Sequence, residues 1–422
     1  MTTVAGTELA QPPAVAPRTR RLRWPHVLLL VAGGILLLGV VRTLTGAEDL
    51  TSRGTMREAV QWAVPIGLAG LGGLWSERAG VVNIGLEGMM ILGTWFGAYA
   101  GVQFGPWTGV IVGVIGGALG GLLHALATVT FGVDHIVSGV AITILGAGIA
   151  RYLSGLTFAD MAGGGPTQSP TIADIGTITI PGVSGAMKAI EARHWVFVSD
   201  LAGIVGGLTT DLSLLTIVAV LLVPLTYLLL WRTSFGLRLR SAGESPVAAE
   251  SLGVNVYLYK YLAVITSGGL AGLGGVYLAE VSSSIYREGQ VNGRGYIGLA
   301  TMIFGNWRPG GLAAGAGLFG FTDALQQRPS GGQSVHALLL FVGILVAALG
   351  LWHLYRRRWV SGGVTLAVAA AVLAWFALQP TVPTEFVRFM PHLTTLLVLA
   401  LASQRLRMPA ADGVPYRRGQ GR

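Results

Sequence analysis

The chain has 422 residues, of which 52% are hydrophobic and only 11% charged, with a mean hydropathy of +0.65 and a formal net charge of +9. That balance excludes a soluble protein of this length, and zero cysteines exclude disulfides, thiolate metal sites and thiol nucleophiles. The basic balance is not read as a nucleic-acid surface, because the arginines sit mostly at the ends of apolar runs, on one predicted side.

Arg18, Arg20, Arg21 and Arg23 precede an apolar run from Val27 to Val41, and Arg42 follows it directly. A cleaved signal peptide has a shorter basic region and a small-residue cleavage site, so this run reads as an uncleaved first helix. About 20 apolar residues cross a bilayer, and further spans read at 58–75, 84–103, 107–129, 135–155, 212–231, 256–279, 294–305, 310–326, 334–351, 360–378 and 388–404. The segment 294–305 is too short for a crossing and reads as a half-helix. With the basic N-terminus inside, Arg232, Arg238, Arg240, Arg308, Arg356 to Arg358, Arg405, Arg407, Arg417 and Arg418 also fall inside. The stretch 155–211, with Pro166, Pro170, Pro181 and few basic residues, falls outside.

The expected organisation is a disordered cytoplasmic tail at 1–26, a core at 27–333, a hydrophobic hairpin at 334–380, a last transmembrane helix at 381–404 and a cytoplasmic tail at 405–422. Within the core lie a first repeat at about 58–155, an outer loop at 156–211, a polar loop at 232–255 and a second repeat at about 256–326. The repeat rests on two matches. Gly67-Leu68-Ala69-Gly70-Leu71-Gly72-Gly73 recurs letter for letter at Gly269–Gly275, and Ile84-Gly85-Leu86…Gly93-Thr94-Trp95 is echoed by Ile297-Gly298-Leu299…Gly305-Asn306-Trp307. The topology places the first copy on a helix running inward and the second on one running outward. The fold class is therefore an all-α polytopic membrane protein, about 10–12 transmembrane helices with an internal inverted repeat. Such repeats point to transport, with a site between the halves.

Ionisable residues at membrane depth are costly. Glu87 has two readings: it lines a pathway or holds a broken helix, or it lies at the inner interface, pairing with Arg78 or capping a helix with Asn83. Glu77-Arg78 reads as an interfacial pair, Asp134 as the N-cap of the fifth span, and His124 as a satisfied packing histidine. Asp323 is left open. His194, His336, His353 and His392 are scattered, and no catalytic triad order or metal spacing stands out, so neither an enzyme nor a cofactor is expected. Only two lysines exist, Lys188 and Lys260, and neither sits in a phosphate-binding loop.

The polar loop reads as a short surface helix, with Glu244 and Pro246 in its first turn and Gly253 as its terminator. Its pattern Gly-x-x-x-Arg-x-x-Gly-Glu-x-Pro-x-Ala-Ala-x-x-x-Gly resembles the coupling loop of ATP-binding-cassette (ABC) importer permeases of the branched-chain amino acid, ribose and nucleoside group. Ser76-Glu77-Arg78-Ala79-Gly80-Val81-Val82-Asn83-Ile84-Gly85-Leu86-Glu87-Gly88-Met89-Met90 resembles the second permease subunit of nucleoside or simple-sugar importers served by basic-membrane-protein-type lipoprotein receptors. Met390-Pro391-His392-Leu393-Thr394-Thr395-Leu396 resembles that family's last helix.

The resemblance implies an ATPase contact through Arg240, Gly243, Glu244, Pro246, Ala248, Ala249 and Gly253. It also implies three partners: an ABC ATPase subunit, a second homologous permease forming a heterodimer, and a substrate-binding lipoprotein receptor. The setting is a bacterial inner membrane, with both termini cytoplasmic. Translocation-path candidates are Asn83, Glu87, Trp95, Tyr296, Asn306 and Trp307, since amides and aromatic faces suit a flat neutral nucleoside; the tryptophans have an alternative reading as interface anchors. The rivals are a simple-sugar or branched-chain amino acid permease, an ion-coupled secondary transporter and a non-transporting scaffold. Departing from the family, 334–380 reads as an added hairpin, either peripheral and lipid-facing or a contact for another subunit.

Overall fold

The computed structural model describes residues 24–193, 195–328, 330–389 and 406–419. The tail 1–23, His194, His392 and, from residue 390, the expected crossing at 388–404 lie outside the described residues. The described chain is nearly all helix: α1 (Trp24–Thr45), α2 (Arg53–Arg78), α3 (Leu86–Phe104), α4 (Pro106–Ala125), α5 (His135–Thr157), α6 (Val183–Glu191), α7 (Val198–Gly207), α8 (Leu214–Arg232), α9 (Ser234–Glu244), α10 (Pro246–Ser251), α11 (Val256–Tyr277), α12 (Arg294–Phe304), α13 (Pro309–Gln326), α14 (Gly331–Tyr355), α15 (Trp359–Leu378) and α16 (Thr384–Arg388). Six of these, α4, α5, α8, α11, α14 and α15, are long and apolar enough to cross a membrane.

Local chemistry sets many of the helix starts. Ser52, Asp134, Ser213, Thr233 and Asn255 each accept a hydrogen bond from the first turn they precede. Pro106, Pro246 and Pro309 open α4, α10 and α13, where a missing N–H costs nothing. Asp134 caps α5 as the sequence predicts.

The centre is built from α2 and α11. Gly72 stands against the carbonyl of Ser267 and Gly274 against that of Pro65, so the two helices run antiparallel. Around them the neighbours match in pairs: α11 packs on α3 and α4, and α2 packs on α12 and α13. The twin heptapeptides thus occupy equivalent places in an inverted arrangement. In one half Gly272 lies between the backbones of Gly93 and Gly117; in the other Gly70 meets Gly298 and Thr301.

The second echo is not in that register. Gly93 is inside α3 against Gly272, but the residue against Gly70 is Gly298, and Gly305 ends α12 against Gly311 and Leu312. Seven residues, about two helical turns, separate the sequence match from the packing match. Contact with the partner helix decides which glycine is needed, and Gly305-Asn306-Trp307 serves a turn instead.

The half-helix expectation holds. The 11 residues of α12 rise about 16 Å, roughly half of a bilayer core. The stretch expected as an outer loop is more than a loop. Thr177–Ile178 pairs antiparallel with Leu212–Ser213, and α6 and α7 fold back on α2, with Asp200 held by Arg42 at 3.0 Å. The added hairpin is α14–α15, closed by Gly343 on Leu373 and Gly350 on Leu366. Its outer helix is 11% buried, against 78% for the α11 span, and it packs on α14.

The crossing predicts opposite signs for one chemical change. Gly272→Ala inserts a methyl between two backbones and is expected to cost roughly 3 kcal/mol or more. Gly363→Ala, where nothing stands within 4 Å, should leave stability unchanged or raise it by about 0.5–1 kcal/mol. Thermal unfolding midpoints of the two variants in detergent check this, and equal shifts would refute the crossing.

Candidate functional site

The segment between the two repeats is two helices, not one. Pro246 has no N–H and drives the residue before it out of the helical region, so Ser245 sits at φ −153°, ψ 85°. Glu244 therefore ends α9 instead of sharing a first turn with Pro246, which opens α10 as expected. Gly253, at φ +82°, terminates the segment, and Asn255 caps α11.

The seven residues expected at an ATPase contact divide into two groups. Gly243 is buried with its Cα against the carbonyl of Arg78 and the nitrogen of Gly80, where no Cβ fits. Arg240 turns back, donating from Nε to the Leu230 carbonyl at 2.9 Å and lying over Trp231. Ala249 is buried with Ala242, Val256 and Tyr416. Facing outward are Glu244, Ala248 and Gly253, with Pro246 half-buried. Val247 and Leu252, 41% and 84% exposed, complete an apolar outer face that the family pattern does not specify.

A joint anchors α9 to the body of the protein. The Trp307 indole donates to Glu77 Oε2 at 2.6 Å, and Arg78 donates from Nε and Nη2 to the Trp307 carbonyl at 3.1 and 2.7 Å. Arg78 also approaches Glu244 at 3.8 Å. Glu77 and Arg78, expected as a pair with each other, instead grip the two ends of Trp307. That grip holds the turn between α12 and α13, where Asn306 and Trp307 both have positive φ, 54° and 51°, an uncommon backbone state for such residues.

The six path candidates do not converge. Asn83 is fully buried and donates to Ser267 Oγ at 2.9 Å. Glu87 accepts from the N–H groups of Gly293 and Gly295, each at 2.8 Å, and so caps α12 from the opposite repeat. This matches the broken-helix reading of Glu87; neither Arg78 nor Asn83 is its partner here. Trp95 is stacked on Tyr99 at 5.4 Å and packed on Phe158. Trp307 is buried in the joint, Asn306 lies beside it, and only Tyr296 is well exposed, at 43%. His124 is satisfied by Ser138 and the Val82 carbonyl, as expected. Asp323 forms a buried pair with Arg294 at 3.2 Å, and Arg294 lies over Trp62.

A cavity of about 220 Å³ opens between α2, α8, α11 and the small hairpin, lined by Arg57, Gln61, Thr216, Tyr277 and Glu280 among others. None of the six candidates lines it. Glu280 follows α11 in a π turn (Leu278–Ser282), is 1% exposed, and neither carboxyl oxygen has a hydrogen-bond partner among the described residues. Sequence reasoning passed over it. The signal was a single carboxylate at the end of an apolar span, which marks function by default.

The family model described as branched-chain amino acid transport system / permease component matches residues 55–349. The guanosine ABC transporter permease protein NupQ of Bacillus subtilis is 31% identical over 85% of this chain and 95% of its own. The nucleoside ABC transporter permease protein NupC of Lactococcus lactis is 31% identical over 84% and 94%. A putative glucose ABC transporter permease protein, TsgC13 of Haloferax volcanii, is 35% identical over 65% and 77%. No solved structure matches. With the inverted α2–α11 core, the short α12 and the α9–α10 segment inside the matched residues, the chain belongs to the branched-chain amino acid transport system permease family and is a multi-pass ABC permease subunit.

Proposed function

We propose that this chain is the non-catalytic permease half of an ATP-driven importer of nucleosides, with ATP hydrolysed by a separate subunit docked on α9–α10. The observation that carries this reading is the way that segment is built. Its inner side is keyed to α2 and the α12–α13 turn through Gly243, Arg240 and the Arg78–Trp307 grip. Its outer side offers Glu244, Val247, Ala248 and Leu252. A surface that is rigid behind and apolar in front suits transmission of a push from a partner protein. A secondary carrier has no use for such a segment.

The substrate class rests on the relatives. The two nucleoside permeases align with 84–85% of this chain, whereas the putative glucose permease aligns with 65%. A simple sugar is the second reading, favoured by that relative's higher identity. The chain works beside a second, homologous permease and receives substrate from an external lipoprotein receptor, with α9–α10 and both termini on the cytoplasmic side of a bacterial inner membrane. Asn83, Glu87 and Trp307 tie the two repeats together, and Tyr296 is the exposed candidate left to face a path.

Two outcomes test this. Val247→Glu combined with Leu252→Glu changes only exposed side chains, 41% and 84% accessible, and should leave folding within about 0.5 kcal/mol of wild type. In proteoliposomes with the ATPase and second permease, the same variant should lose ATP-driven uptake by about tenfold or more, equivalent to about 1.4 kcal/mol of coupling. Uptake that persists with this outer face scrambled sinks the docking assignment. For the substrate, labelled guanosine uptake should be competed by other nucleosides and not by glucose; the reverse pattern installs the sugar reading.

A further inference from the structure

Residues 406–419 are bound to the protein along nearly their whole length, and their contacts fall on the joint behind α9. The Arg407 N–H donates to Asn306 Oδ1 at 2.7 Å, the Ala410 N–H to Glu244 Oε2 at 3.2 Å, and the Ala411 N–H to the Gly243 carbonyl at 2.9 Å. The Ala411 carbonyl lies against Gly80. Tyr416 fills the apolar cluster of Ala242, Ala249 and Val256, with its ring 5.6 Å from Tyr257. Arg418 approaches Glu250 at 3.6 Å, and the Gly419 N–H donates to the same carboxyl at 3.3 Å. One segment thus touches α9, α10, α11, the loop after α2 and the α12–α13 turn.

At its middle, Asp412 turns inward. It is 8% exposed, neither carboxyl oxygen has a conventional hydrogen-bond donor among the described residues, and it lies beside the Glu77 carboxyl, 4% exposed. Two buried carboxylates in contact repel, and a hydrogen bond between them exists only if one carries a proton. The other groups facing this pair are Arg78 from α2, Lys260 from α11, the Gly413 N–H and the Trp307 indole. Arg240, Arg308 and Glu244 stand around Arg78.

We propose that residues 406–419 form a strap that positions α9–α10 for coupling, held down by one proton shared between Asp412 and Glu77. The coupling role of the strap rests on the ATPase reading of α9–α10; the shared proton does not. Both carboxyls are positioning residues. They act on the outer face through Gly243, Glu244 and the Trp307 grip.

The sign of the pH dependence follows from the same geometry. Burial pushes the Asp412 carboxyl from its ordinary 3.8 up to about 7, against the pull of its hydrogen bond with Glu77 and of Lys260. The docked strap therefore keeps a proton that a free strap has already lost. Docking weakens as pH rises from about 4 to about 7 and stays weak above that.

The test uses the assembled transporter in lipid nanodiscs. Amide exchange of residues 406–419, corrected for its chemical pH dependence, should be about tenfold faster at pH 8 than at pH 6, as linkage to a proton lost near pH 7 requires. In Asp412→Asn the side-chain amide donates to Glu77 in place of the proton, so protection should be equal at both pH values. No pH dependence in the wild type, or the same dependence in Asp412→Asn, overturns the shared proton. Deleting residues 406–422 should leave the ATPase subunit bound while uptake per ATP hydrolysed falls about tenfold, a mid-range coupling effect. Unchanged uptake per ATP, or loss of ATPase binding, overturns the positioning role. If Val247→Glu/Leu252→Glu retains normal ATPase binding, the contact assignment fails, and the exchange result stands separately.

Discussion

The structure depends on backbone touching backbone where α11 crosses α3 and α4. Lipid tails are as apolar as leucine, so helices in a bilayer are not driven together by hydrophobic burial; close van der Waals approach and internal hydrogen bonds do that work. Gly272 between Gly93 and Gly117 brings three helices to a distance that no side chain permits. The opposite half repeats the device with Gly70 on Gly298. Because α2 and α11 run antiparallel and carry the same seven residues, one crossing geometry serves both halves.

Once the helices are that close, polar side chains can act as fixed joints across the repeat boundary. Asn83 reaches Ser267, Glu87 caps α12 and Arg294 holds Asp323. Each removes a polar group from lipid by pairing it with another, and each ties an element of one repeat to one of the other or secures α12 itself. The short α12 needs this support most. It is about half the length a bilayer crossing needs, and the Glu87 carboxylate accepts from two N–H groups at its start.

The joint behind α9 extends the same logic to the surface. Trp307 is held at both ends, by Glu77 and by Arg78, and Arg78 and Glu244 lie within reach of each other. α9 is therefore tied to the α12–α13 turn through Arg78 and Trp307 as well as through the chain itself. The outward residues of α10 are small or aliphatic.

Composition and repetition determined much of this protein by themselves. Apolar runs of bilayer length, arginines at their ends and a duplicated heptapeptide specified a polytopic, inverted-repeat membrane protein, because length and local solvation depend on nearby residues alone. The cap at Asp134, Pro246 at a helix start, Gly253 as a terminator and the short α12 were legible for the same reason; the break that makes Glu244 the end of a separate helix was not. The roles of single polar residues were not. Glu77 and Arg78 are neighbours in sequence yet serve a tryptophan some 230 positions away. Glu87 caps a helix in the other repeat, Gly243 and Ala249 face inward while Ala248 faces out, and Asp412 gave no local sign of its burial. The echo of Gly93-Thr94-Trp95 pointed to the wrong glycine. These matters are settled by which backbone lies within a few ångströms, and only the packed tertiary structure decides that.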